Sequence, residues 1–331
     1  MKKGNLLPTI QKKILKVVAG LLLALVLLTG ALVLSIWAPD RPVEDLQARW
    51  APPPSVFVEV IGINVHLRDE GPRNDTEPIV LLHGTSSSLH TWEGWAQALK
   101  DQRRVIRFDL PGFGLTGPSV DNVYTIERYT RFVAAVLDHL GVKRCVLAGN
   151  SFGGYVAWAT SLADPELVAQ LILVDASGYR LQSASMPIGF RIAMTPVLNR
   201  LAANTLPRFL IASSVKNVYG DPGKVTEEII DRYYAITVRE GNRRALVERF
   251  KQAPPGEMAH RIPEVTVPTL ILWGGFDRLI LPEVAERFHH DIDGSKLKIF
   301  EDLGHVPQEE DPARTVAVVK RFLRLPEDSN P

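Results

Sequence analysis

The longest apolar run lies near the start, where Val17 to Ala38 are 22 residues without a charge. As a helix rising ~1.5 Å per residue this run crosses a hydrocarbon core of ~30 Å. It predicts a transmembrane signal anchor rather than a cleaved leader, whose apolar stretch is only about 7 to 15 residues and ends at a small-x-small site. Here the run ends in SIWAPD. Residues 39–55, PDRPVEDLQARWAPPPS, are charged and proline-rich, which predicts an extended, semi-rigid stalk. From Val56 the rhythm becomes alternation: VFVEV and INVHLRDE flank Gly62 and predict a β-hairpin. It then changes to short continuous apolar runs, PIVLLHG, RVIRFDLPG, CVLAGNS, LILVDAS and TLILWGG. Helix-like stretches at 92–100, 125–140 and 152–163 separate the first four. Continuous strands alternating with helices predict a parallel sheet covered on both faces, an α/β fold. KLKIFEDLGH and a helix over 312–325 close it.

One interval breaks the alternation. Residues 179–261 separate LILVDAS from TLILWGG, too many for an ordinary connection, and contain helical patterns such as VTEEIIDRYYAITVREGNRRALVERFKQ. An inserted helical lid is expected, with Pro187, Pro196, Pro207, Met186 and Met194 shaping its underside and the methionines acting as packing residues. The chain thus divides into a basic tip (1–16), a membrane anchor (17–38), a stalk (39–55), a core in two parts (56–178 and 262–325) around the lid (179–261), and a tail (326–331).

Composition narrows the class. A chain of 331 residues, 46% hydrophobic and 23% charged, is neither disordered nor fibrous. Its 38 basic residues against 37 acidic ones leave no broad positive surface for nucleic acid. Five of the lysines lie within the first sixteen residues and the first acid is Asp40, so outside that tip 33 basic residues face 37 acidic ones. Lysines before the span with Asp40, Glu44 and Asp45 after it place the N-terminus in the cytoplasm. The body is then extracytoplasmic, in the periplasm if the source is Gram-negative. The single cysteine, Cys145, is read as a small core residue.

Candidate chemistry concentrates where strands end. Strand CVLAGN runs directly into Ser151 and a helical FGGYVAWATSLA, giving Gly149-Asn150-Ser151-Phe152-Gly153 at a strand-to-helix turn. This is the context of a nucleophile elbow, in which small neighbours permit a strained turn that exposes the serine Oγ; the alternative is a plain helix N-cap. A serine hydroxyl needs a base, and the base an orienting acid. Among eight histidines, His305 follows the final strand in a loop able to reach across the sheet. His66, His139, His289 and His290 suit structural or solvated positions, His83 suits a loop-holding one, His90 flanks the same loop and His260 ends the lid. Asp277 follows TLILWGG at the same sheet edge. An oxyanion needs fixed N–H donors, for which the amides of Phe152 and Thr85 are the candidates.

Together HGTSSSLHTW, FDLPGFGLTGP, AGNSFGG, LWGGFDRLI and GHVPQEEDP, in this order and with a lid between the third and fourth, resemble the α/β-hydrolase superfamily across residues 56–325. The resemblance implies a mostly parallel central sheet flanked by helices and the chain order Ser151, Asp277, His305 for a catalytic triad. It makes Asp109 a structural turn residue. Haloalkane dehalogenases and epoxide hydrolases share the architecture but use an aspartate nucleophile, where this chain has Ser151. The leading expectation is a membrane-anchored serine hydrolase of hydrophobic carboxylic esters, requiring no metal or cofactor and binding no nucleic acid. Gly149-Asn150-Ser151 with Gly153-Gly154 also resembles hydrolases that cleave carbon–carbon bonds in aromatic ring-fission products. A lid-bearing binding protein that has lost catalysis is a third reading.

Overall fold

A computed structural model of the chain describes residues 7–180, 183–201 and 204–326. Residues 1–6 of the basic tip and 327–331 of the tail lie outside the described residues.

Helix α1, Leu7–Ile36, is exposed from Gln11 to Ser35, and its Gln11–Ile36 segment is long and apolar enough to span a membrane. It stops short of Ala38. The Trp37 backbone forms a bridge to Thr205, the Ala38 amide donates to the Asn204 carbonyl at 2.9 Å, and the Leu206 amide donates to the Ile36 carbonyl at 2.9 Å.

The stretch expected to be an extended stalk is not one. Residues Glu44–Trp50 form helix α2, with Leu46 2% and Trp50 7% exposed and packed against Leu115 and Ala235. The Arg41 amide donates to the Val238 carbonyl, the Glu240 amide donates back to the Arg41 carbonyl, and Asp40 pairs with Arg243. The prolines bracket this helix without entering it. Glu44 and Asp45 occupy its first turn, where the helix dipole favours acids, and Leu46 and Trp50 at i, i+4 supply one apolar face.

The body is built on one eight-stranded sheet in the order β1-β2-β4-β3-β5-β6-β7-β8, with β1 Val56–Val60, β2 Ile63–Glu70, β3 Ile79–Leu82, β4 Val105–Phe108, β5 Cys145–Asn150, β6 Val168–Val174, β7 Thr269–Gly274 and β8 Lys296–Phe300. The β1–β2 and β2–β4 pairs are antiparallel and the others parallel. The first hairpin turns through Ile61 and Gly62, both at positive φ, a two-residue turn whose twist matches the strands. Alternate residues of β3 divide the core: Val80 and Leu82 join Phe132, Val133 and Trp158 on one face, while Ile79 and Leu81 join Trp92, Trp95 and Val319 on the other. Helices α4 (Ile126–His139) and α5 (Phe152–Ala163) cover the first face, and α3 (Glu93–Leu99) with the late C-terminal helix Pro312–Leu323 cover the second. Each fully buried large apolar side chain contributes about 1.5–3 kcal/mol.

Between β6 and β7 lie α6 (Ile188–Met194), α7 (Pro196–Leu201), α8 (Arg208–Val218), α9 (Glu227–Val238) and α10 (Asn242–Gln252). Met186 packs on the core, whereas Met194 is 44% exposed rather than packed. After β7 come α11 (Glu283–Asp291), β8, the short α12 (Pro307–Glu310) and α13 (Pro312–Leu323).

Candidate active site

The parallel strands end on one edge of the sheet, and each end presents a polar residue. Ser151 follows β5, Asp175 follows β6, Asp277 lies three residues past β7, and His305 lies five past β8. Ser151 holds φ 54°, ψ −117° between strand and helix, a conformation that costs an L-residue of order 1–3 kcal/mol. Its neighbours must be glycine. A Cβ on Gly149 would lie 2.2 Å from the Gly153 carbonyl oxygen, and one on Gly153 would lie 2.3 Å from the Leu82 carbonyl oxygen. Ser151 occupies the N-cap position of α5, yet its side chain makes no capping hydrogen bond, so the hydroxyl is left free. Its amide donates to the Val174 carbonyl, and its carbonyl accepts from Tyr155 and Ser177.

His305 Nδ1 and Asp277 Oδ2 are 2.6 Å apart and buried. The other oxygen of Asp277 accepts from the Leu279 amide at 2.8 Å and the Ile280 amide at 3.0 Å, which fixes the carboxylate and through it the imidazole. The histidine loop is held from several sides. The His305 amide donates to the Val218 carbonyl, and Asn150 Nδ2 donates to the carbonyls of His305 and Val174. Glu310 accepts from the amides of Gly304, Gly220 and Asp221.

Thr85 lies in the loop after β3, next to Gly84, where a Cβ would sit 3.1 Å from Ser151 Cβ. Phe152 opens α5, so its amide is one of the unsatisfied donors of a helix N-terminus. Ser151, His305, Gly84 and Thr85 line one cavity of about 1110 Å³ roofed by α6–α10.

The remaining histidines take structural or solvated places. His83 Nδ1 donates to the Gly84 carbonyl and its Nε2 accepts from the Leu110 amide; burial pushes its pKa down. His66 pairs with Asp109, which also accepts from the amides of Leu89 and Leu115, so Asp109 is a turn-organising residue. Burial opposes the charge on Asp109, and His66 beside it outweighs that and holds the carboxyl below its usual range. His90 accepts or donates at Ser88 and bonds the Trp50 carbonyl, and desolvation lowers its pKa to about 3. His139 and His260 are exposed, His289 pairs with Ser295 and His290 with Asp291. Cys145 is a buried free thiol, pushed up to about 12 by burial.

Two groups at the site lie outside the residues nominated from the sequence. Asp175, fully buried, accepts from the Gly274 amide at 2.9 Å, and an oxygen of it lies with atoms of Asp277 and His305 inside 4.8 Å. Burial first and Asp277 second push its pKa well up. The strand-end position that nominates Asp277 applies equally to Asp175. Arg249, on α10, is 4% exposed, and its Nη2 donates to Thr85 Oγ1 at 2.9 Å. Its guanidinium lies over the rings of Phe152 at 4.6 Å and Phe250 at 4.1 Å, and burial lowers its pKa to about 10. The last turn of a helix in a polar sequence gives no hint that this arginine turns inward.

A family model described as the alpha/beta hydrolase fold matches residues 77–312. An uncharacterised hydrolase of Bacillus subtilis, YugF, is 30% identical over 268 residues, 80% of this chain and 96% of its own length. A 2-hydroxy-6-oxononadienedioate/2-hydroxy-6-oxononatrienedioate hydrolase of Burkholderia vietnamiensis is 29% identical over 79% of this chain and 91% of its own. Among solved structures, a membrane phospholipase A superposes with a TM-score of 0.69 at 24% identity, covering 93% of this chain and 98% of its own.

Proposed function

Since the chain belongs to the α/β-hydrolase fold family, we propose that it is a membrane-anchored serine hydrolase of carboxylic esters, with Ser151, His305 and Asp277 as its triad. The observation that carries this is the buried 2.6 Å contact of His305 Nδ1 with Asp277, beside a strained Ser151 that shares a cavity with His305. In the reaction His305 Nε2 takes the Ser151 proton as Oγ attacks the ester carbonyl. The amides of Phe152 and Thr85 receive the oxyanion. Collapse expels the alcohol, protonated by His305, and leaves an acyl-serine. Water then attacks with the same histidine as base, and acid departs. Asp277 keeps the imidazole in the tautomer with Nδ1–H and stabilises its charged form.

The N-terminal helix supports the anchored part of the reading. Lys12, Lys13 and Lys16 precede the apolar segment while Asp40, Glu44 and Asp45 follow it, an asymmetry that supports a cytoplasmic N-terminus with the catalytic body on the other side. The resemblance to a membrane phospholipase A extends over 93% of this chain, which favours esters that reside in membranes.

A second reading is hydrolysis of a carbon–carbon bond, supported by relatives named as 2-hydroxy-6-oxononadienedioate and 2-hydroxy-6-oxo-2,4-heptadienoate hydrolases. Asn150, which suggested it in the sequence, spends its amide on the carbonyls of Val174 and His305. That assigns the side chain to holding the histidine loop whichever bond is cut.

The deciding assay is hydrolysis of p-nitrophenyl esters of increasing chain length, beside 2-hydroxy-6-oxodienoates, by the full chain in detergent. Ester turnover that falls by at least about 10⁴-fold in Ser151→Ala and His305→Ala is expected. Turnover of the dienoates alone would replace ester by carbon–carbon chemistry. Undiminished activity in Ser151→Ala would overturn both, and absence of any activity together with failure of a serine-directed phosphonate to label the protein would leave a binding protein.

A further inference from the structure

The lid carries an apolar face with no partner among the described residues. Ile188, Met194, Val197, Leu198 and Phe209, spread over α6–α8, are 39%, 44%, 69%, 45% and 68% exposed. Scattered single apolar residues on a surface need no explanation, but a contiguous group marks a contact surface. These five fall within 22 residues of chain, and that stretch of chain carries basic residues alone, of which Arg208 is paired with Glu227 and Asp231 of α9. From Met186 to Val218 there are four basic residues, Arg191, Arg200, Arg208 and Lys216, and no acidic one. In a chain of almost balanced charge, exposed apolar residues interspersed with basic ones are the composition of a segment seated at a lipid surface.

The position of this face identifies what covers it. The loop between α7 and α8 is hydrogen-bonded to the residues where the membrane-spanning helix ends, through Leu206 to Ile36, Ala38 to Asn204 and the Trp37–Thr205 bridge. Phe209 lies three residues beyond Leu206. Anything bonded to Ile36 stands at the level where α1 leaves the hydrocarbon. Trp37, 52% exposed at that point, is the aromatic residue type that favours a membrane–water boundary.

We infer that the exposed face of α6–α8 is seated in the outer boundary of the bilayer that α1 spans, and that the substrate enters the catalytic cavity from that bilayer. The same cavity that holds Ser151 and His305 is lined by Pro196, Thr205 and Leu206, so it reaches the lid segment joined to the end of α1. The class of substrate that geometry admits is an acyl ester dissolved in the membrane, arriving without crossing water. This rests on the ester-hydrolase reading for the chemistry, but the seating itself does not require it.

Cysteine labelling tests it on the full chain. Cys145 is buried and its thiol strongly protonated, so the native protein contributes no background. Val197→Cys and Phe209→Cys each receive an environment-sensitive nitrobenzoxadiazole dye, as does Lys143→Cys. Lys143 is highly exposed and precedes the start of β5, on the opposite edge of the sheet from Ser151. In vesicles of phosphatidylethanolamine and phosphatidylglycerol, the dyes at 197 and 209 are expected to emit at shorter wavelength than the dye at 143. Nitroxide carried on lipid should quench them at least about twofold more strongly. Equal emission and quenching at all three sites would overturn the seating. A blue shift at 197 and 209 without quenching would also overturn it, and would assign the face to a second copy of the chain.

Val197→Glu and Phe209→Glu extend the test to catalysis, since neither residue lines the cavity. Hydrolysis of a long-chain ester carried in the vesicles is expected to fall about tenfold while hydrolysis of dissolved p-nitrophenyl butyrate stays unchanged. Equal rates on the vesicle-borne ester would overturn entry from the bilayer. The ester-hydrolase reading fails by a separate result, full activity in Ser151→Ala, which leaves the dye measurements untouched.

Discussion

Arg249 shows how much of a site can be carried by a residue that never meets the substrate. A guanidinium this deeply buried, bonded to Thr85 Oγ1 and stacked over Phe152, touches the two residues whose amides are assigned to the oxyanion and holds positive charge behind them in a medium of low dielectric. Arg249→Met is therefore expected to lower kcat on p-nitrophenyl esters by about 10- to 100-fold with little change in KM. Arg249→Lys should recover part of the loss, and circular dichroism checks that the fold is kept. Asp175 carries a different expectation. Burial and Asp277 keep its proton on in the folded state, while the unfolded chain releases it above about pH 4. Folding therefore takes up a proton, and this residue costs stability as pH rises past 4, about 1.4 kcal/mol per unit until its folded pKa is reached. Asp175→Asn keeps a donor toward Asp277 without the titration. Its melting temperature should exceed the parent's by a margin that widens from pH 5 to pH 8, and a constant margin would refute the assignment.

Among the secondary-structure elements, α2 is where reading and structure part. Composition made residues 39–55 a spacer because five prolines and five charges dominate it. The decisive pattern was only two residues, Leu46 and Trp50, whose spacing forms a face that tertiary contact completes at Leu115 and Ala235. No local signal reveals a docking site 65 residues away in sequence or further. Trp50→Ala removes the largest side chain of that contact and is expected to cost about 3 kcal/mol, the low end for burying and losing an indole. Thermal unfolding in detergent should show the midpoint fall by several degrees. The parallel strands were legible for the opposite reason, because burial on both faces makes each a continuous apolar run whatever surrounds it. Helix α5 likewise follows from its elbow, since Gly149 and Gly153 leave the chain one way to turn.

For the molecule as a whole, a hydrolase fold was legible from five motifs in order, and so were the strand ends that bring Asp277 and His305 into hydrogen-bonding distance. What no motif encodes is the side of the site that comes from the inserted helices. Asp175 belongs to a strand end that looked ordinary, and Arg249 and the exposed face of α6–α8 depend on how five helices fold over the sheet. Their packing is decided by shape rather than by periodicity. The position of the lid relative to α1 is likewise a property of tertiary bonds between residues 36–38 and 204–206, and appears in neither segment alone.

Glu310 joins these scales. One carboxylate holds the amides of Gly220 and Asp221, just after α8, together with that of Gly304, next to His305, the proposed base. Segments secured to a single buried acceptor lose their bonds as one cooperative unit. The α8 end of the lid and the His305 loop are therefore bonded to the same side chain. Lid and His305 loop thus share one anchoring point, and loss of the Glu310 carboxylate is expected to loosen both together.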